Sequence, residues 1–215
     1  GGSLRFIYSL WENNYLNYFD SIYVICDRKC EASLWCSKKN LNYKIIDIND
    51  ERQNNLIREV TSLNPSIIIT NIFKILNDSF LNKFQDRCIN PHWSLLPSFS
   101  GLIGVNTIKA ALDYKEKIIG ATVHHLSEKL DEGRPIVQIA FSVRENETIE
   151  FHTDIMFKAS AIALFIAIEK ITSKNIFKES MAMSLFNTEF LISPFCNLPA
   201  IIKDDYFWEK IKNWQ

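Results

Sequence analysis

Apolar positions along the chain fall into short continuous runs separated by stretches with helical spacing. Runs at 22–26, 43–48, 66–70 and 87–90 have the β-branched, aromatic or cysteine-containing character of strands buried on both faces. Between them, 4–16, 31–40 and 50–63 place apolar residues on one helical face, and Asp50 is an N-cap candidate for the last of these. A turn-rich loop at 98–104 precedes a further helix predicted over 105–114. After Gly120 the rhythm changes. Segments 121–126 and 135–143 read as strands with no long helix between them, and 149–172 reads as a long helix with an apolar stripe. The remainder, 173–215, is aromatic-rich and shows no clear period.

Strands alternating with helices predict an α/β fold: a doubly wound, mostly parallel sheet whose right-handed crossovers place helices on both faces. Such a fold ordinarily opens with a strand and a glycine-rich turn. This chain opens directly on Gly1-Gly2-Ser3, so the first strand is expected to be missing from it. The predicted organisation is a catalytic domain over 1–172, with 173–215 as a C-terminal appendage packed on it.

Composition narrows the function classes. With 215 residues, 47% of them hydrophobic, the chain can bury a sizeable core, and fifteen Phe argue against disorder. A formal net charge of -1 without a Lys/Arg stripe gives no sign of a nucleic-acid partner. The longest apolar run, 159–168, is well short of the roughly 18 residues needed to span a bilayer. No membrane role or leader segment is therefore expected, and the expected location is cytoplasmic. Five cysteines (Cys26, Cys30, Cys36, Cys88 and Cys196) form neither a disulfide framework nor a metal-ligand spacing. Cys26 and Cys30 are too far apart for a CxxC redox pair, so reduced, partly buried thiols and no metal are expected.

Chemistry concentrates in Asn90-Pro91-His92-Trp93-Ser94-Leu95-Leu96-Pro97. Asn90, His92 and Ser94 recur at period two, so on an extended backbone they share one face. They follow a predicted buried strand, and open α/β sheets bind ligands outside the carboxyl ends of their strands. On its own an Asn-x-His at a strand end is most often structural. The second segment, Gly120-Ala121-Thr122-Val123-His124, and the third, Leu130-Asp131-Glu132-Gly133, change that reading.

Taken together, in order and spacing, the three segments and Gly101 closely resemble the folate-dependent formyltransferases. That family includes glycinamide ribonucleotide transformylases, methionyl-tRNA formyltransferases and sugar N-formyltransferases. The likeness is strong over 66–143, weaker over 1–65 and lost beyond about residue 172. It implies that Asn90, His92 and Asp131 are the catalytic trio and that 10-formyltetrahydrofolate is the cosubstrate, passing its formyl group directly to an amine. These residue types suit the reaction. Asn90 and His92 can donate hydrogen bonds to the oxyanion of a tetrahedral intermediate. Asp131 can orient and charge His92, or accept the amine's excess proton. His124 matches the family's strand histidine and is expected to be structural or to act behind the site. His125 should face the opposite way, and His152 should be structural.

The resemblance also implies a pterin slot built from the loop after the third strand and the loop leading to the aspartate. The matching positions are Phe73, Lys74 and Leu76, with Leu126, Ser127 and Glu128; apolar side chains there can equally be core. For the acceptor, Gly2 and Ser3 resemble a phosphate-cradling loop at a helix N-terminus but lack its asparagine. Trp93 replaces a proline common after the family's histidine, and with Ser94 is expected near the acceptor. The long helix offers Asp154, Lys158, Ala159 and Ser160 where the transformylases carry a substrate-contacting glutamate. The chain is also too short and too weakly basic for a transfer-RNA branch. The expected acceptor is a small-molecule amine, an amino sugar or sugar nucleotide. Phosphoribosylglycinamide is the alternative, and a catalytically idle folate-binding member a second. A homodimer is left open.

Overall fold

The structure is a computed structural model and describes residues 1–49, 53–72, 74–172 and 177–213. Asp50, the expected helix cap, lies outside the described residues. The chain divides into two compact units, Gly1–Pro65 with Pro199–Gln215, and Ser66–Leu198. The boundary drawn at 172/173 from sequence thus falls inside the second unit.

In the first unit, α1 (Gly2–Glu12) is followed by β1 (Tyr23–Cys26), α2 (Glu31–Lys38), β2 (Asn42–Ile45) and α3 (Asn54–Leu63). β1 pairs in parallel with β2, and α2 is the crossover that parallel pairing requires. Tyr8 packs edge-on against Trp35 at 5.1 Å, with Cys36, Leu4 and Val24 around them. The end of the chain returns here as α7 (Asp205–Lys212), capped by the Asp204 carboxylate accepting from the Tyr206 N–H at 3.0 Å. Trp208 of α7 stacks on Phe6 of α1 at 5.3 Å.

The second unit contains β3 (Ile68–Ile69), α4 (Asp78–Phe84), β4 (Cys88–His92), α5 (Val105–Asp113), β5 (Ile118–His125), β6 (Pro135–Ser142), α6 (Ile149–Thr172), β7 (Met181–Leu185) and β8 (Thr188–Ser193). Its six strands run in the order β3-β4-β5-β6-β8-β7. β3 and β4 are parallel; every later pairing is antiparallel. The α/β class is as expected, and the sheet is mixed. The parallel pattern extends only to β4: β5 pairs antiparallel with it across the long connection that holds α5, and beyond β5 the connections 126–134 and the two-residue turn between β7 and β8 are too short for crossovers. α6 packs on β4, β5 and β6 and is buried around its whole circumference from Lys158 to Glu169, so it is a central core helix with no solvent stripe there.

The tail from 178 to 193 is regular after all. β7 and β8 form a hairpin whose turn, Phe186-Asn187, holds both residues at positive φ (54° and 55°), the geometry of a two-residue hairpin turn. Phenylalanine is an uncommon occupant of that position. α4 was also unanticipated; the Asn77 side chain caps it by accepting from the Phe80 N–H at 3.0 Å. Among the described residues no helix is long and apolar enough to cross a membrane.

One close approach fixes the middle of the sheet. A Cβ at Gly120 would sit 2.0 Å from the Ile139 carbonyl oxygen and 2.8 Å from a Leu95 methyl. Gly120→Ala must displace backbone. It is expected to cost about 2–4 kcal/mol and lower the thermal midpoint by roughly 5–10 °C, read by calorimetry. An unchanged midpoint would show that the sheet yields there freely.

Candidate active site

β4 carries Asn90 and His92 in register with β5, Asn90 opposite His124 and His92 opposite Thr122. A bulge interrupts the β5–β6 ladder between Val123 and His124, so that His124 pairs with Pro135. Bulges re-aim side chains, and here the His124 ring is directed at the end of β4. The imidazole is 2% exposed.

Five polar side chains converge. The Asn90 Nδ2 lies 3.3 Å from His124 Nε2, and the Thr70 hydroxyl lies 3.1 Å from Asn90 Oδ1 and also from the Ile89 carbonyl. His92 Nδ1 is 3.5 Å from one oxygen of Asp131, and His124 Nε2 is 3.8 Å from the other. On its far side, His124 Nδ1 is 2.9 Å from the His125 carbonyl.

The tautomers follow from this geometry. Nδ1 of His124 must carry a hydrogen to donate to the His125 carbonyl, and burial pushes the imidazole below its usual titration range. The ring is therefore neutral, and its Nε2 accepts from the Asn90 amide. That orients the amide: Oδ1 toward Thr70, one N–H to His124, and the second N–H left to donate elsewhere. His92 Nδ1 faces the Asp131 carboxylate, while its Nε2 is buried without a hydrogen-bond partner. A buried polar nitrogen left open next to a carboxylate-held ring is a group waiting for a ligand.

Asp131 sits at φ 56°, a conformation that aspartate tolerates better than most residues. Its Oδ2 accepts the Gly101 N–H at 2.8 Å, and the Ser100 hydroxyl donates to the Leu130 carbonyl at 3.3 Å, so loop 98–104 steadies the carboxylate. The following Gly133 has no room for a side chain, since a Cβ would fall 1.6 Å from the His125 carbonyl oxygen.

Behind the cluster, Thr122 holds the chain that leaves β4. Its hydroxyl donates to the Ser94 carbonyl at 2.7 Å and accepts from the Leu96 N–H at 3.0 Å. Gln138 Nε2 reaches the Leu96 carbonyl at 3.1 Å. Ser94 is buried and its hydroxyl donates to the Ser98 carbonyl. Trp93, half-buried, lines a small pocket with Phe99, Thr107, Ile108, Ile119 and Met156. Trp93 and Ser94, expected near an acceptor, are thus engaged in packing and loop geometry.

Of the other expected residues, Lys74 is half-buried and Leu76 is buried in the loop between β3 and α4; Phe73 lies outside the described residues. Leu126 and Ser127 are half-buried and Glu128 exposed, with the Ser127 hydroxyl donating to the Lys129 carbonyl at 2.8 Å. Gly2 and Ser3 open α1 in the other unit. His125 is half-buried, and His152 is structural: it bridges the Thr148 carbonyl (2.8 Å) and the Arg144 N–H (3.2 Å). No His/Cys/Asp/Glu group among the described residues could hold a metal ion. His124 stands behind Asn90, as its match to the family's strand histidine implies, and Thr70 joins it as a residue the sequence did not single out. The one signal for Thr70 was its position at the end of the strand beside β4.

An α/β protein with amide, imidazole and carboxylate gathered at strand ends has the makings of an acyl-transfer enzyme. The signature of the family described as Formyl transferase matches residues 26–168. Methionyl-tRNA formyltransferase of Borreliella burgdorferi (strain ZS7) is 31% identical over 134 residues, covering 61% of this chain and 41% of that protein. The trifunctional purine biosynthetic protein adenosine-3 of Chironomus tentans is 34% identical over 119 residues, 55% of this chain and 8% of that protein. The solved phosphoribosylglycinamide formyltransferase from Bacillus halodurans shares the fold, with a TM-score of 0.73 at 20% identity over 80% of this chain and 90% of that one. This chain belongs to the formyl transferase family. It spans less than half the length of the two relatives compared by sequence.

The neutral state of His124 has a thermodynamic signature. Its folded-state titration lies below the unfolded one, so as pH falls below about 6.5 the unfolded chain takes up this proton first and stability drops. Denaturant midpoints should fall on acidification, and His124→Gln, which keeps an acceptor for Asn90, should flatten that slope. Parallel slopes in the two proteins would remove the assignment.

Proposed function

We propose that this chain transfers a formyl group from 10-formyltetrahydrofolate to a primary amine of a small molecule. The carrying observation is the unpartnered, buried Nε2 of His92 beside the spare N–H of Asn90, with Asp131 behind the ring. The cosubstrate supplies an activated formyl group. Asn90 and His92 present donors where the formyl oxygen gains negative charge as the amine attacks, and such preplaced donors are worth roughly 3–4 kcal/mol each. Asp131 holds His92 through Nδ1 and accepts the amine's excess proton directly or through water. His124 positions Asn90 and takes no part in proton transfer.

The residues suit a folate. The two segments assigned to the pterin slot leave large apolar side chains uncovered: Ile75 is 75% exposed and Leu130 is 58% exposed. Lys74, Leu76, Leu126, Ser127 and Glu128 belong to these segments, and a flat heterocycle would cover the apolar surface they present.

For the acceptor we favour an amino sugar or sugar nucleotide. In α6, Asp154 is paired with Lys158 at 3.1 Å, and no glutamate stands where the transformylases are expected to contact substrate. Phosphoribosylglycinamide is the second reading, favoured by the likeness to phosphoribosylglycinamide formyltransferase structures and to the purine biosynthetic relative.

Asn90→Ala, His92→Ala and Asp131→Asn should each keep a wild-type circular dichroism spectrum and lose at least about a hundredfold in turnover. Undiminished turnover in any of them would remove its assigned role. The acceptor is tested by following tetrahydrofolate release with amino-sugar nucleotides, phosphoribosylglycinamide and methionyl-tRNA. Turnover confined to the first is expected, and turnover with phosphoribosylglycinamide alone would overturn the sugar reading.

A further inference from the structure

Thr70 immediately follows β3 and stands beside Asn90 of β4. Its backbone N–H carries the parallel ladder one step further by donating to the Ile89 carbonyl at 2.9 Å. That carbonyl therefore has its partner without the side chain. The Thr70 side chain is buried, and its hydroxyl lies 3.1 Å from the same carbonyl and 3.1 Å from Asn90 Oδ1. A hydroxyl has one hydrogen to give. Turned wholly to Ile89, it would leave the lone pairs of Thr70 Oγ1 and Asn90 Oδ1 facing each other at that distance. The hydroxyl is thus spent on Asn90, while the backbone bond holds the strand ends together.

Asparagine needs such a second hold. Its χ2 torsion is broad, so one hydrogen bond does not set the plane of the amide. The contact between Asn90 Nδ2 and His124 Nε2 is long, at 3.3 Å, and by itself lets the group rock. A donor at the opposite end, on Oδ1, defines the plane, and the spare N–H lies in that plane. It also draws electron density toward Oδ1, which makes the amide hydrogens better donors. Turned end for end, the amide would set Oδ1 against the bare Nε2 of His124 and point a carbonyl oxygen where the spare N–H now points.

We propose that Thr70 is a positioning residue for formyl transfer: its hydroxyl, with His124 at the other end, fixes the Asn90 amide so that the second N–H is held on the reacting oxygen. The inference rests on the formyl-transfer reading. Thr70 acts through Asn90 and moves no proton of its own.

Thr70→Val keeps the branched shape and the backbone bond to Ile89 but removes the hydroxyl. Its kcat should fall about tenfold with KM for folate and amine unchanged, since the lost orientation matters in the transition state. Thr70→Ser should recover to within about threefold of the wild type. In an Asn90→Ala background, Thr70→Val should have no further effect, because no amide is left to hold. A readout free of turnover is the exchange of the Asn90 side-chain hydrogens with water, followed by nitrogen-15 NMR. Thr70→Val should speed it at least about tenfold, and Thr70→Ser should leave it near the wild-type rate. A wild-type chain that turns over no amine would remove the formyl-transfer reading, and exchange would then judge the hold on Asn90 alone. Unchanged exchange or unchanged kcat in Thr70→Val, an equal loss of turnover in the Asn90→Ala background, or failure of serine to restore either property would overturn the proposal.

Discussion

Four residues of β4 lie antiparallel to four of β5, and everything chemical in the second unit is hung on that short ladder. The pairing sets Asn90 against His124 and His92 against Thr122, so one residue of slip would send the whole set to the opposite face. Two close backbone approaches border the ladder. Gly120 admits the Ile139 carbonyl of β6 where any side chain would collide, and Gly133 admits the His125 carbonyl in the same way. The glycines of the second and third segments therefore let β6 and the Asp131 loop close on β5, which carries His124 opposite Asn90.

The ladder works with a second layer of hydrogen bonds that never meets substrate. Thr122 both donates to and accepts from the peptide groups following His92, and Gln138 takes a further carbonyl of the same segment. These are buried groups, and leaving any one unpaired would cost about 1–3 kcal/mol. The segment after His92 is thereby tied to β5 and β6, with Ser94 buried and Trp93 half-buried.

Much of the candidate site was legible because its residues come in local patterns. Asn90 and His92 at period two on a strand end, Asp131 in a Leu-Asp-x-Gly loop and His124 on the following strand stand in the sequence as the resemblance requires, and α6 has the ends its pattern predicts. What escaped depended on partners distant in sequence or on unusual backbone. The bulge opposite His124, which directs its ring at Asn90, leaves no mark in the residue pattern. Thr70 gained meaning from a bond spanning twenty residues. The β7–β8 hairpin hid because phenylalanine occupies a left-handed turn position normally given to glycine or asparagine. The mixed sheet was not legible because β5 follows a helix, as a parallel strand would, and yet pairs antiparallel with β4.

Both ring nitrogens of His124 are already spoken for, one by the His125 carbonyl and one by the Asn90 amide. A ring so occupied is a dead end for proton traffic. On the proposed route a proton leaving the amine goes by way of Asp131, and an insulator stands beside that path. Of the two histidines at the carboxylate, 3.5 and 3.8 Å from its oxygens, His92 keeps Nε2 without a hydrogen-bond partner, whereas any change at His124 would unfasten the Asn90 amide.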